Sequence, residues 1–144
     1  DFSRTAWAFA KAGHAAPQLF DAVAERVEAR LEEFKPPDIA TIVWAFAKVG
    51  HAAPKLFDAV ARRAVERFEE MDPQYSTRVI FQAFAIAGHA APDFFNAVAE
   101  RVEERLEEFD TRNLAGTVEA FAKVGHAAPN LFDAVAERAE EHLE

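Results

Sequence analysis

The sequence predicts an all-α protein, a right-handed α-solenoid of four helix-turn-helix repeats. Three observations carry this. Gly-His-Ala-Ala-Pro occurs four times, at Gly13–Pro17, Gly50–Pro54, Gly88–Pro92 and Gly125–Pro129, in steps of 37, 38 and 37 residues. A period of that size marks one supersecondary unit copied and stacked. Apolar residues on both sides of each copy recur at helical spacing, and glycine and proline fall where helices stop and start.

The second copy shows the unit. Pro36-Pro37-Asp38 opens it: proline suits a first helical turn, and a carboxylate is favourable beside a helix N-terminus. Ile39, Ile42, Val43, Phe46 and Ala47 then share a helical face as far as Lys48. Gly50 supplies the left-handed residue that ends a helix. A second helix starts at Pro54, with Phe57, Val60, Ala61, Ala64 and Phe68 on one side until Met71. Each copy is thus a helix of about 12 residues, a turn through Gly-His-Ala-Ala, and a helix of about 17. Four hairpins give eight helices and no strands, with repeats at approximately 1–34, 35–71, 72–109 and 110–144.

Alanines crowd the first helices (Ala6, Ala8, Ala10; Ala45, Ala47; Ala83, Ala85, Ala87) and allow close backbone approach, while Phe9, Phe46, Phe84 and Phe121 fill the space between layers. Copy three carries one extra residue between Met71 and Gly88. Counting from Met71 puts Phe81 in the Trp44 position; counting back from Gly88 puts Gln82 there. Asp1 falls inside a repeat, and Glu144 stops two residues short of the closing aromatic that Phe34 and Phe109 imply. The single array over 1–144 therefore reads as a segment of a longer protein.

Charge divides the copies. Net charge is −9. The segments before each glycine hold seven Lys/Arg and five Asp/Glu, net +2, and the segments from glycine onward hold nine and twenty, net −11. Nucleic acid would favour the first layer and be repelled by the second. No apolar run approaches the roughly 20 residues of a bilayer span, so no membrane insertion is expected. Cysteine is absent, which excludes disulfides and thiolate chemistry.

Trp7-Ala-Phe-Ala-Lys11-Ala-Gly13-His14 and Trp44-Ala-Phe-Ala-Lys48-Val-Gly50-His51, with Pro17-x-Leu19-Phe20-Asp21-Ala22 and the Met71-Asp72-Pro73-Gln74 link, resemble octotricopeptide repeats. These are helical-pair arrays of organellar proteins, related to repeats found beside RAP domains. The resemblance covers essentially the whole chain. It implies binding of single-stranded RNA in chloroplast or mitochondrion, acting on RNA processing, stability or translation. Copy four departs from the pattern, with Glu119 in the tryptophan position and Gly116 inside the first helix.

Candidate contacts follow from positions that vary while their neighbours do not. Three residues before the tryptophan position lie Arg4, Thr41, Arg78 (counting from Met71) and Gly116, a column whose polar side chains could reach bases or could simply face solvent. Two residues before each glycine lie Lys11, Lys48, Ile86 and Lys123, where lysine tracks a phosphate backbone or complements a helix dipole. Arg26, Arg63, Arg101 and Arg138 recur on the second helix opposite an acidic flank of Asp21, Glu25, Glu28 and Glu32, which favours inter-repeat salt bridges over a phosphate ladder. Gly13, Gly50, Gly88 and Gly125 are structural turn positions. His14, His51, His89 and His126 sit beside them, where each caps carbonyls or packs in the turn. One repeat, roughly 10 Å, separates successive histidines, too far for a shared metal. No metal, cofactor, small-molecule substrate or catalytic constellation is expected, and the chain is read as a binding protein and not an enzyme. RNA binding competes with a second reading, a protein-interaction scaffold or accessory subunit of a large organellar complex, which the negative charge favours.

Overall fold

A computed structural model describes residues 2–143, apart from the side chains of Phe2, Pro73 and Gln74; Asp1 and Glu144 lie outside the described residues. Eight α-helices and no strands are found among them. The first helices are α1 (Phe2–Ala12), α3 (Pro36–Val49), α5 (Arg78–Ala87) and α7 (Thr111–Val124). The second helices are α2 (Pro17–Ala29), α4 (Pro54–Glu66), α6 (Pro92–Glu104) and α8 (Pro129–Glu141). Four hairpins stack in a row, α1 on α3 on α5 on α7 in one layer and α2 on α4 on α6 on α8 in the other. Contact is closer between first helices. Ala45, Ala47, Ala83 and Ala85 are buried in that layer, and their small side chains let the backbones of neighbouring first helices approach.

Every Gly-His pair ends its first helix in the same way. Gly50 sits at φ 72°. Its N–H donates to Ala47 O, and the N–H of His51 donates to Phe46 O. That pair of bonds is the Schellman motif, and Gly13, Gly88 and Gly125 repeat it. A Cβ on Gly50 would meet nothing within 4 Å, so substitution there is opposed by backbone strain alone. Gly50→Val is expected to cost roughly 1–2 kcal/mol, and Gly50→Asn less, as read by urea denaturation. An unmoved midpoint for the valine variant would show that no strain is stored at this turn.

The second helices are shorter than the expected 17 residues. Each has 13, breaks at Arg30, Arg67 or Arg105 in the first three copies, and there continues as a three-residue 3-10 turn: Leu31–Glu33, Phe68–Glu70 and Leu106–Glu108. A 17-residue helix would run about 25 Å, past a 14-residue partner of about 21 Å. Tightening the last turn brings the chain round in step with the first helix and buries Leu31, Met71 and Phe109.

The extra residue of copy three is taken up by a π-turn over Pro73–Thr77, closed by Thr77 N–H to Asp72 O. Downstream of it the register is that counted from Gly88. Gln82 therefore occupies the tryptophan position, and Phe81, fully buried, matches Val43.

One continuous apolar cluster runs through all four copies, and Phe20, Phe46, Phe84, Phe95 and Phe121 are its largest repeated members. The ring of Phe20 meets Phe46 at 4.9 Å, Phe57 meets Phe84 at 4.9 Å, and Phe95 meets Phe121 at 5.4 Å. These edge and tilted contacts join each second helix to the first helix of the next copy.

Candidate nucleic-acid interface

The outward side of α1, α3, α5 and α7 forms one face of the array. Lys11 lies over the Trp7 ring at 5.7 Å and Lys48 over Trp44 at 5.9 Å. Both pairs are four residues apart in sequence, the spacing that makes side chains neighbours on a helix. Trp7 is 43% exposed and Trp44 half-buried, so aromatic surface reaches solvent beside a cation in two successive copies. Copy three has Gln82 and Ile86 at these positions, and copy four has Glu119 and Lys123. Lys123 is exposed like the other lysines, but its neighbour one turn earlier is a carboxylate.

The column expected to read bases is differently placed. The π-turn puts Val79 in register with Thr41 and shifts Arg78 into the Ala40 register, so Arg78 leaves the column. Thr41 is half-buried, its hydroxyl donating to Pro37 O at 2.9 Å. Gly116 lies against α5, where a Cβ would stand 3.1 Å from Gln82 Nε2. Thr41, Val79 and Gly116 are all partly covered, and only Arg4, on the first helix of the row, is an exposed polar member. A helical wheel drawn for one helix cannot separate a solvent position from one at the edge of a lateral contact.

The second-helix arginines reach back across the repeat boundary. Arg63 donates to Glu32 O at 3.5 Å and Arg138 to Phe109 O at 3.3 Å. Arg101 pairs with the Glu69 carboxylate and covers the Phe68 ring at 5.1 Å. Their targets all lie in or beside the preceding 3-10 turn, and two of the three are backbone carbonyls where carboxylates were expected. The reason is the shortened helix, whose last carbonyls turn toward the next copy. Arg26, in the first copy, has a partner of its own. Arg63, Arg101 and Arg138 are occupied in contacts that join one repeat to the next.

The histidines make a contact that the sequence reading missed. Backbone N–H groups, not imidazoles, cap the carbonyls. Each ring packs on the phenylalanine five residues earlier, at 5.5–5.7 Å: Phe9, Phe46, Phe84 and Phe121. His51, His89 and His126 also touch Phe20, Phe57 and Phe95 of the preceding second helix. Their Nε2 atoms meet Asp21 at 2.8 Å, Asp58 at 2.7 Å and Asn96 at 2.8 Å. The available signal was the polar residue directly after that phenylalanine (Asp21, Asp58, Asn96, Asp133), which repeats in step with the histidines. Among the described residues no group of three or more His, Cys, Asp or Glu is placed to hold a metal ion, and no helix is long and apolar enough to cross a membrane.

Fold and face together define a helical-repeat protein of the α-solenoid class. A family model described as RESC6, RNA-editing substrate-binding complex 6 protein, matches residues 2–142, and the chain belongs to that family. No curated protein matches the chain. The octotricopeptide resemblance is overturned by this family match, and the chloroplast expectation falls with it. Its motifs were those of the turn and the close-packed layer: Gly-His closes a Schellman motif, and alternate alanines let helices touch. Any hairpin array with this turn and packing needs them, so they mark a fold more than a lineage.

Proposed function

We propose that the outward face of the first-helix layer binds single-stranded RNA, within an assembly of the RNA-editing substrate-binding type. Such complexes act in the mitochondrion, which is the compartment we assign. The observation that carries this reading is the pair of Trp–Lys contacts, Trp7–Lys11 and Trp44–Lys48, repeated in register on the less acidic layer. Aromatic faces stack on unpaired bases of any sequence, and cations beside them follow the phosphates. Four copies offer few contacts, so the face holds RNA without reading an extended sequence. The chain acts by binding and supplies no chemistry of its own.

The test is salt-dependent binding of a labelled oligouridylate followed by fluorescence anisotropy. Lys11→Gln with Lys48→Gln is expected to lower the slope of log affinity against log salt by about 1.4, at about 0.7 per contact on a single strand. An unchanged slope would remove these lysines from the interface.

A second reading is favoured by a specific observation, the net −11 of the segments from glycine onward. That layer suits a protein neighbour better than a nucleic acid, as an accessory subunit requires.

A further inference from the structure

Two equivalent grooves open between consecutive second helices. One lies between α4 and the start of α6, with a volume of about 350 Å³; its other, of about 290 Å³, lies between α6 and α8. Residue for residue they correspond: Ala61 to Ala99, Arg62 to Glu100, Val65 to Glu103. They exist because the alanine-rich first layer packs closer than the second, which leaves the outer helices apart.

Their floors are alike, and their rims differ in charge. Alanines and one large apolar residue, Phe94 or Leu131, make each floor. Around the first groove stand Glu66 and Asp93, with Asp58 already paired to His89, against Arg62, and the residues lining the second include Glu100 and Glu103 and no base. Val65, 38% exposed, adds an apolar rim. An apolar floor under an acidic rim fits a long aliphatic stem that ends in a cation, as in lysine or arginine. Successive copies stand on the order of 10 Å apart, and seven residues of an α-helix rise about 10.5 Å.

We propose that the second-helix face docks a basic helix of a protein partner, with Lys or Arg side chains seven residues apart seated one per groove. The inference goes beyond the RNA reading and uses the opposite face of the array, so either can fail alone. Nucleic acid is disfavoured here because the same carboxylates that attract the helix repel phosphate.

The probe is a synthetic alanine-based helical peptide carrying arginine at every seventh position, compared with its glutamate counterpart by anisotropy at low and high salt. The arginine peptide is expected to bind and the glutamate peptide not to. Glu66→Lys with Glu103→Lys is expected to weaken binding at least tenfold. Ala61→Phe, which fills a floor without changing charge, should do likewise, with circular dichroism checking the fold; Val65→Gln replaces it if that variant does not fold. Undiminished binding to the folded floor or rim variant would reduce the effect to diffuse charge and overturn the proposal. So would competition in which oligouridylate displaces the arginine peptide from the native chain, since the face would then belong to RNA.

Discussion

Replacing Phe84 by alanine is expected to lower the unfolding free energy by about 3–5 kcal/mol, the largest effect anticipated for any single substitution here. Its ring is fully buried and meets Phe57 at 4.9 Å, His89 at 5.5 Å and Phe94 at 5.5 Å. Truncation removes the transfer free energy of the ring, opens a cavity and strips three aromatic neighbours of a partner. Set against roughly 5–15 kcal/mol for a whole domain, such a loss threatens the fold itself. Position makes it worse, because Phe84 joins copy two to copy three, and a solenoid holds together through nearest-neighbour contacts. Urea denaturation of this variant should show an earlier midpoint and a broadened or split transition as the two halves uncouple. Phe132→Ala serves as the comparison: Phe132 is 36% exposed and its loss should cost far less. A Phe84→Ala loss below about 1.5 kcal/mol would contradict the packing described.

The second large effect concerns RNA. Trp7→Ala with Trp44→Ala is expected to weaken oligouridylate binding about 30-fold or more, since stacking on an aromatic is worth about 1–3 kcal/mol per base. Trp7→Phe with Trp44→Phe should retain most of the affinity, because a phenyl ring still offers a stacking face. Trp7 is well exposed whereas Trp44 packs against the core, so Trp7→Ala alone should leave the melting temperature nearly unchanged and is the variant that separates binding from folding. Copy four supplies the converse. Glu119→Trp would place an indole one turn before Lys123 and remove a carboxylate, and should tighten binding. If the double alanine variant binds as the native chain does, the face assigned to RNA is the wrong one.

Legibility of this molecule varied by element. The four turns could be read outright, because a left-handed residue followed by proline leaves few alternatives. Arg78 shows where reading stopped: its register depended on a π-turn, and an extra residue inside a helix can be absorbed at any point along it. Arg63, Arg101 and Arg138 show another limit. Their direction across the repeat boundary was legible from the charged flanks, but their acceptors lie in or directly after 3-10 turns that carry no glycine or proline of their own. The His89–Asp58 contact was hidden for a third reason, since two polar residues 31 apart gain meaning only when neighbouring copies are superposed.

By itself the chain's sequence determined the repeat, the all-helical class, the glycine turns and the split of charge between layers, because each follows from local conformational preference or from counting along one period. Tertiary structure alone decided which layer packs more closely, where the second helices break, how the extra residue of copy three shifts the column, and where the outer grooves open. Those features depend on how closely adjacent copies approach. That distance is set by side chains meeting across copies more than twenty-five residues apart, and no local preference encodes it.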